Sequence, residues 1–143
     1  MLPDMMRQVR ENIENYGQHL FYVGGDGADP AFCYTIGNAE HGLPELLVIG
    51  SFGFWLTGQI LNELGAKMRE AGKPYEEGLL DIGWTYPFKI RKTSGDVNER
   101  FTIQAGRYLG HENYVVLQIM ICDPMGRYPG DEGCDPDFAV ERP

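Results

Sequence analysis

The amino-acid sequence predicts a single α+β domain over residues 1–143, with a mainly antiparallel or mixed sheet and two to three helices. Two stretches carry apolar residues at helical spacing, whereas residues 31–36, 46–49 and 114–122 are apolar and rich in β-forming residues. The 19 glycines and 12% aromatic residues are typical of a turn-rich α+β protein rather than a helical bundle. A chain of 143 residues can bury one core without disulfides or metals.

The first of these helical stretches lies at the N-terminus. It is predicted to begin after Pro3, with Asp4 as the capping residue, and to end at Gly17, where a left-handed conformation closes a helix. Between them, apolar residues recur at positions 6, 9, 13 and 16. Residues 19–23 are β-prone and precede a glycine-rich turn, so we expect them to form a hairpin with residues 31–36.

The second helix is predicted between Ser51, as its N-terminal cap, and Gly72. Its buried face is a stripe at intervals of four, made of Leu56, Ile60, Leu64 and Met68. Gly58 and Gly65 are unfavourable inside a helix and lie on one of its faces. We expect another backbone to approach the helix closely there.

The second half of the sequence supplies the remaining strands. Pro87 excludes a central strand within residues 79–92, so this stretch is predicted as an edge or a broken pair. Residues 97–109 fit a helix between an Asp96 cap and Gly110, although residues 101–105 alone would pass as a strand. Residues 114–122 form the longest apolar run, and we expect them to lie centrally, near residues 31–36. Residues 130–143 are predicted as a loosely packed tail.

Charge and composition restrict the partners. The 21 acidic and 12 basic residues give a formal net charge of −9, and the basic residues are scattered along the chain. Such a protein repels nucleic-acid phosphates and anionic membranes, so we expect neither as a partner. The partners that we expect are a protein or a small anionic ligand.

The N-terminus and the cysteines indicate the compartment. The N-terminus lacks the apolar core of a secretion signal, and no stretch reaches the roughly 18 apolar residues of a membrane span. Cys33, Cys122 and Cys134 show no paired spacing, which indicates reduced thiols rather than disulfides or a zinc site. The sequence therefore predicts a cytoplasmic protein, with Cys33 and Cys122 buried in their apolar runs.

The sequence contains no familiar cofactor or catalytic motif. It has no G-x-G-x-x-G or G-x-x-x-x-G-K-[ST] loop for nucleotides and no G-x-S-x-G elbow for a serine nucleophile. The three histidines are far apart, and the acidic run after Gly130 lacks the ligand order of a calcium loop. We therefore expect no metal and no cofactor, and the sequence leaves open whether the protein is an enzyme.

Polar residues concentrate in two turns at strand ends. Residues 123–126 (DPMG) are typical of a type I turn, with Asp123 bonding within it and Arg127 following it. Arg127 either pairs with a nearby carboxylate, which we favour, or binds an anion. We expect it to meet Glu45, with His41 close by. The candidate ligand- or partner-binding residues are Tyr34, Thr35, His41, Glu45, Gln118, Asp123, Arg127 and Tyr128.

Two of these candidates lie within strands. Because side chains alternate along a strand, one of Tyr34 and Thr35 is expected to face the core and the other to point away. Gln118 interrupts a buried run and must find hydrogen bonds there, since an unpaired buried amide costs about 1–3 kcal/mol.

The two polar motifs together resemble a known family. They read P-x-F-x-Y-T-I-G…H-G-x-P-E-L and V-L-Q…D-x-x-G-R-Y-P, and the helix ending at Gly72 lies between them. In this order they are similar to a bacterial family called domain of unknown function 4262, over most of the chain. The resemblance implies no activity. An aromatic residue commonly follows the last proline in that family, whereas this chain has Gly130.

Two functions fit these patterns. The first, which we favour, is a non-enzymatic binding or regulatory module of the immunity type, because the chain is acidic and lacks a recognisable catalytic set. The alternative is a small-molecule enzyme or ligand-binding domain with a pocket between the motifs at residues 34–45 and 118–128. Arg127 would then hold an anion, and Glu45, His41 or Asp123 would transfer protons.

Overall fold

The computed structural model describes residues 4–143 and confirms the predicted α+β class, with four helices and six strands. In chain order the elements are α1 (Asp4–Tyr16), β1 (His19–Val23), β2 (Phe32–Ile36), a 3-10 turn (Asn38–His41), β3 (Glu45–Ile49), α2 (Phe54–Ala71), β4 (Gly78–Leu80), β5 (Phe88–Lys92), α3 (Val97–Arg100), α4 (Ile103–Leu109) and β6 (Val116–Met120). Pro3, expected just before the first helix, lies outside the described residues.

The six strands form one mixed sheet in the order β1-β2-β3-β6-β5-β4. Neighbouring strands are antiparallel except for β3 and β6, which run parallel. The predicted hairpin of β1 with β2 and the central place of β6 are both confirmed. However, β3 separates β2 from β6, so Tyr34 and Gln118 lie on either side of Leu47 instead of next to each other.

Helices cover both faces of the sheet. Helix α2 packs on the face that carries Cys33, Leu46 and Leu117, whereas α1, α3 and α4 pack on the face that carries Tyr34 and Leu47. The expectation that only one of Tyr34 and Thr35 would be buried is therefore wrong. Their exposed fractions are 1% and 0%, because neither face of the central strands meets solvent.

The two long helices begin and end close to the predicted residues. Helix α2 ends at Gly72, whose positive φ of 67° is the left-handed conformation expected there. Its N-terminal cap is Gly53, not Ser51. The Ser51 hydroxyl instead accepts a hydrogen bond from the Ala31 amide, which joins the end of β3 to the start of β2.

The glycines of α2 make room for side chains, which corrects the expectation of a close backbone. A Cβ atom on Gly65 would lie 2.1 Å from the Gln18 side-chain oxygen. A Cβ atom on Gly58 would meet the Leu20 side chain at 3.4 Å, an ordinary contact. Gly65 is therefore required by packing, because any larger residue would displace Gln18.

Residues 78–110 follow the predicted pattern with one interruption. Strand β4 is at the sheet edge, and Pro87 directly precedes β5, as expected for a broken pair. The helix predicted over residues 97–109 is divided at Phe101 and Thr102 into α3 and α4. Asp96 precedes α3 without a side-chain capping bond, because its carboxylate accepts a hydrogen bond from Ser94.

The segment after Pro129 has no helix or strand but is bonded to the sheet. Gln118 donates its amide to the Glu141 carbonyl at 2.7 Å, and Arg91 donates to the Pro143 carbonyl at 2.6 Å. These contacts fix the C-terminal segment to β5 and β6. No helix within residues 4–143 is long and apolar enough to cross a membrane.

Candidate functional site

The Glu45 carboxylate is fully buried at the start of β3 and accepts four hydrogen bonds. The donors are the Thr35 hydroxyl at 2.8 Å and the successive amides of Gly37, Asn38 and Ala39 at 3.0, 3.2 and 3.0 Å. Three consecutive N–H groups turned toward one anion are a recurring anion-binding arrangement in proteins. Here the protein's own carboxylate fills it.

The local sequence explains why the amides point inward. Gly37 has a φ of 125°, which residues other than glycine rarely adopt. A Cβ atom there would lie 2.8 Å from the Ile13 side chain. Glu45 then fixes residues 37–39 against the start of β3. Burial raises the pKa of the Glu45 carboxyl, and the four hydrogen bonds oppose that rise.

A second layer of polar groups supports Glu45. Arg69 on α2 donates one guanidinium nitrogen to the side-chain oxygens of Gln18 and Asn38, each at 2.7 Å. Asn38 in turn donates to the Thr35 hydroxyl at 3.2 Å. The positive charge of Arg69 thus faces the buried Glu45 through uncharged amides, and burial lowers the pKa of Arg69 despite the attraction of Glu45. This network joins α2 to the connection before β1, to the 3-10 turn and to β2.

The Asp123 carboxylate organises the turn after β6. It accepts the backbone amides of Met125, Arg127 and Asp135 at 2.9, 2.8 and 2.9 Å, together with the Arg127 guanidinium at 2.9 Å. The Gly126 amide closes the turn on the Asp123 carbonyl at 2.9 Å. The sequence predicted this self-bonded turn, and the carboxylate that pairs with Arg127 is Asp123 itself.

Glu45 and Arg127 do not meet. Glu45 pairs with Val116 at the start of β6, whereas Asp123 and Arg127 follow its end. Because β3 and β6 are parallel, the two polar motifs lie at opposite ends of the sheet. His41 is exposed and makes no side-chain hydrogen bond within residues 4–143. The expected pair of Glu45 with Arg127 is therefore absent from the described structure.

The remaining candidates make structural hydrogen bonds. The Tyr34 hydroxyl accepts the Gln104 amide at 3.1 Å, and the Tyr128 hydroxyl donates to the Pro87 carbonyl. Gln118 uses its nitrogen on the Glu141 carbonyl, while its buried side-chain oxygen has no partner among the described residues. The side-chain amide of Gln118 therefore has a hydrogen bond at its nitrogen but none at its oxygen among the described residues.

A cavity lies at the end of the sheet where β3 and β6 begin, and we call it the strand-start cavity. Its volume is about 820 Å³, within the range of small-molecule sites. Its walls are residues 42–44 before β3, residues 73–77 after α2 and residues 113–115 before β6. Lys92 and His111 complete the rim. The loop that Glu45 fixes thus forms one wall of the cavity.

Sequence reasoning missed most of this site. Gln18 lies between α1 and β1, Asn38 in the 3-10 turn and Arg69 in α2, and none belongs to a recognisable motif. The one available signal was Gly65, one helical turn before Arg69, which marked a place where α2 must admit a neighbour. Lys73, Lys92 and His111 gave no signal, because they converge only after the chain has folded.

Metal and thiol chemistry find little support in the described part of the chain. Residues 4–143 contain no group of three or more His, Cys, Asp or Glu side chains placed to hold a metal. The three cysteines are unpaired, and Cys33 and Cys122 are buried as predicted. Burial raises the pKa of the Cys33 thiol to about 12, so it is protonated and unreactive at neutral pH.

Comparison with known proteins places the chain in a family. No curated protein and no solved structure matches it. A family model described as a domain of unknown function matches residues 12–135 of the 143 residues. That range contains both polar motifs and all six strands. The chain therefore belongs to the domain of unknown function family DUF4262.

Proposed function

We propose that the protein is a non-enzymatic binding domain that holds a small amphipathic molecule with an anionic group in the strand-start cavity. The observation that carries this proposal is the combination of an apolar floor with two unpaired lysines at the rim. An apolar body would lie on the floor, and the anion would meet the ammonium groups. This is the small anionic ligand that the sequence suggested, bound at a place that the sequence did not indicate.

The floor of the cavity supports an apolar ligand body. Val115 is 60% exposed although it directly precedes the buried strand β6, and its side chain lines the cavity. Leu43, Tyr75, Tyr114 and Leu117 line it as well. The Tyr75 hydroxyl donates to the Leu64 carbonyl at 2.6 Å, so the ring presents mainly its apolar surface. Covering such residues removes apolar surface from water, at about 25 cal/mol per Å².

The rim supports an anionic group. Lys73 and Lys92 are exposed, and among residues 4–143 neither ammonium group has a carboxylate within 4.0 Å. His111 accepts the Asn113 amide at its Nδ1 atom, which leaves Nε2 available. Glu76 and Glu77 also line the cavity, and Glu77 accepts the Lys92 backbone amide at 3.2 Å. A ligand with one negative group therefore fits this rim better than a multiply charged one.

The carboxylates argue against proton-transfer chemistry. A general base needs an oxygen free to reach its substrate, whereas Glu45 and Asp123 each accept four hydrogen bonds from the protein. The alternative, a small-molecule enzyme or ligand site between residues 34–45 and 118–128, would have to join groups at opposite ends of the sheet. The formal charge of −9 favours a basic protein as a further partner, as in a regulatory or immunity-type module of the cytoplasm.

The anionic dye 8-anilinonaphthalene-1-sulfonate tests the proposal, because it combines an aromatic body with one sulfonate. We expect saturable binding at one site, measured by dye fluorescence. Lys73→Gln and Lys92→Gln should each weaken binding at least threefold. Val115→Gln should weaken it at least fivefold by making the floor polar. Lys67→Gln is the matched control, because Lys67 is an exposed lysine of α2 outside the cavity and its loss should change nothing.

Dye binding to partly unfolded protein is the main confounding process, so each variant needs a melting curve. The proposal is supported if dye binding is saturable and weakens in the three cavity variants while their melting temperatures stay unchanged. Binding that is equal in all four variants, or that appears only as the protein unfolds, contradicts it.

A further inference from the structure

A second cavity, at the other end of the sheet, is lined by aromatic rings. It has a volume of about 390 Å³ and lies between the first turns of α2, the start of β5 and the end of β6. We call it the aromatic cavity. Its main lining side chains are Trp84, Tyr86, Phe88, Phe138, Leu56 and Ile60. It shares no lining residue with the strand-start cavity, so it is an independent site.

Three hydrogen-bonding side chains at this cavity, those of Trp84, Tyr86 and Asp123, are already used by the protein. The Trp84 indole N–H donates to the Glu63 carboxylate at 3.1 Å, and the Tyr86 hydroxyl donates to the Pro124 carbonyl at 3.3 Å. The Asp123 carboxylate is filled by its own turn and by Arg127. Apart from the exposed Thr85 hydroxyl, a ligand therefore meets mainly aromatic rings and aliphatic surface.

The charge near the cavity is negative. Of the twelve lining residues only Asp123 is charged, and none is basic. Burial by itself would raise the pKa of Asp123, but hydrogen bonds from Arg127, Asp135 and Met125 lower it to about 2, so the carboxylate is ionised at neutral pH. Its partner Arg127 offsets that charge at 2.9 Å. The uncompensated carboxylate is then Glu63, which has no cation within 4.0 Å among residues 4–143.

Glu63 acts on the ring that lines the cavity. An indole whose N–H is donated to a carboxylate has more electron density on its face, which strengthens its attraction for a cation. Phe88 meets Trp84 edge to face, with ring centroids 5.3 Å apart, and Phe138 reaches the cavity from the C-terminal segment. Rings from two parts of the chain, residues 84–88 and Phe138, thus line this space in a protein whose net charge is −9.

We propose that the aromatic cavity binds a substituted ammonium group, such as a trimethylammonium head, through the faces of Trp84, Phe88 and Phe138. Such a group presents methyl groups to the apolar walls and a diffuse positive charge to the rings, and it needs no hydrogen bonds. A primary ammonium would lose its hydration without replacement and is excluded on that ground.

The test compares two probes of the same shape. Choline and 3,3-dimethylbutan-1-ol differ only in the charged nitrogen, which is a neutral carbon in the alcohol. In a Trp55→Phe background, which alters an 80% exposed residue, Trp84 is the sole remaining tryptophan. Its indole N–H signal in a ¹H–¹⁵N NMR spectrum then reports directly on the cavity. We expect choline to bind at least tenfold more tightly than the alcohol.

Two variants identify the source of the preference. Phe138→Leu keeps an apolar wall but removes a ring, and Glu63→Gln keeps an acceptor for the indole but removes its charge. Each should weaken choline binding at least threefold and leave the alcohol unchanged. Glu99→Gln, on α3 across the sheet, removes the same charge elsewhere and should have no effect.

The possible results separate the alternatives. A choline preference that falls in both variants but not in Glu99→Gln supports the site. Equal binding of the two probes, tighter binding of the alcohol, or no shift of the Trp84 signal with either probe overturns it. None of the substituted residues lines the strand-start cavity, so the result can be read separately from the function proposed above.

Discussion

Two buried carboxylates, at opposite ends of the same sheet, are stabilised by different groups. Glu45 and Asp123 are 0% and 1% exposed, and each accepts four hydrogen bonds. Asp123 also has a cation, because the Arg127 guanidinium lies 2.9 Å away. Glu45 has none within 4.0 Å among residues 4–143, since Arg69 bonds to Asn38 and Gln18 instead.

This difference shows in the acidity of the two groups. Burial raises the pKa of Glu45, against four opposing hydrogen bonds, whereas the hydrogen bonds of Asp123 overcome its burial and lower its pKa to about 2. The comparison indicates that equal numbers of hydrogen bonds do not give equal stabilisation of a buried charge. Because both carboxylates are almost fully shielded from solvent, the difference that the structure shows is the guanidinium bonded directly to Asp123.

Removing Glu45 is expected to have the largest effect. Glu45→Ala leaves three buried amides and the Thr35 hydroxyl without an acceptor, which should cost about 3–5 kcal/mol in the free energy of unfolding. Urea denaturation measures this loss. Glu45→Gln should recover little of it, because its NH₂ group would face backbone donors in either orientation. A loss below about 1 kcal/mol for Glu45→Ala would show that the loop does not depend on the carboxylate.

Asp123→Asn should lower the free energy of unfolding less than Glu45→Ala does. The asparagine keeps one oxygen acceptor, and the groups that bond to it are near solvent. The substitution should also change how the free energy of unfolding depends on pH below about pH 4. The pKa of Asp123 is lowered in the fold, so its contribution is present above its ordinary value of 3.8 and is lost as the pH falls toward 2. Denaturation at pH 2, 3, 4 and 5 should show this loss in the wild type and not in Asp123→Asn. Parallel curves would refute it.

The pKa values of the two carboxyl groups should be shifted in opposite directions from their ordinary values. Because the pKa of Glu45 is raised in the fold, burial favours its protonated form. The stability that this form contributes is present below the ordinary pKa of 4.5 and is lost as the pH rises through the folded pKa. ¹³C NMR of the side-chain carboxyl carbons should place Glu45 above 4.5 and Asp123 near 2. A Glu45 signal that titrates below 4.5 would mean that its four hydrogen bonds outweigh burial.

The smallest effect is expected for Arg127→Lys. The Arg127 side chain is 43% exposed, so loss of its guanidinium bond should change stability by only about 0–1 kcal/mol. Thermal melting measures that change, with Arg142→Lys, an exposed arginine of the C-terminal segment, as the control. A loss above about 2 kcal/mol would show that the ion pair, rather than the backbone amides, holds the turn.

Sequence reasoning succeeded where local patterns decide the structure. The spacing of Met6, Val9 and Ile13 predicted α1, and the DPMG turn predicted that Asp123 bonds within its own loop. It failed for Glu45 and Arg127, because their separation depends on which strands are parallel, and a pattern of apolar residues carries no strand direction. The parallel pairing of β3 with β6 set this distance.

The environment of Glu45 was equally hidden from the sequence. Its donors depend on the backbone angle of Gly37, and its distant cation on a gap in α2 at Gly65. Gly65 stood out in the sequence, but a glycine indicates a close contact without indicating which residue makes it. The strand-start cavity has the same origin, since its lysines come from elements that are far apart in the sequence.

The position of β6 has a consequence for how the chain is made. It lies between β3 and β5, both of which precede it in the sequence, so the centre of the sheet stays open until about residue 120 has left the ribosome. Until then β3 and β5 each expose an unpaired, apolar edge, which invites association with other chains. Closing the gap joins β3 to a strand roughly 70 residues away, and such distant pairings fold slowly. Nascent chains that stop before β6 should therefore need a chaperone more than the finished protein does.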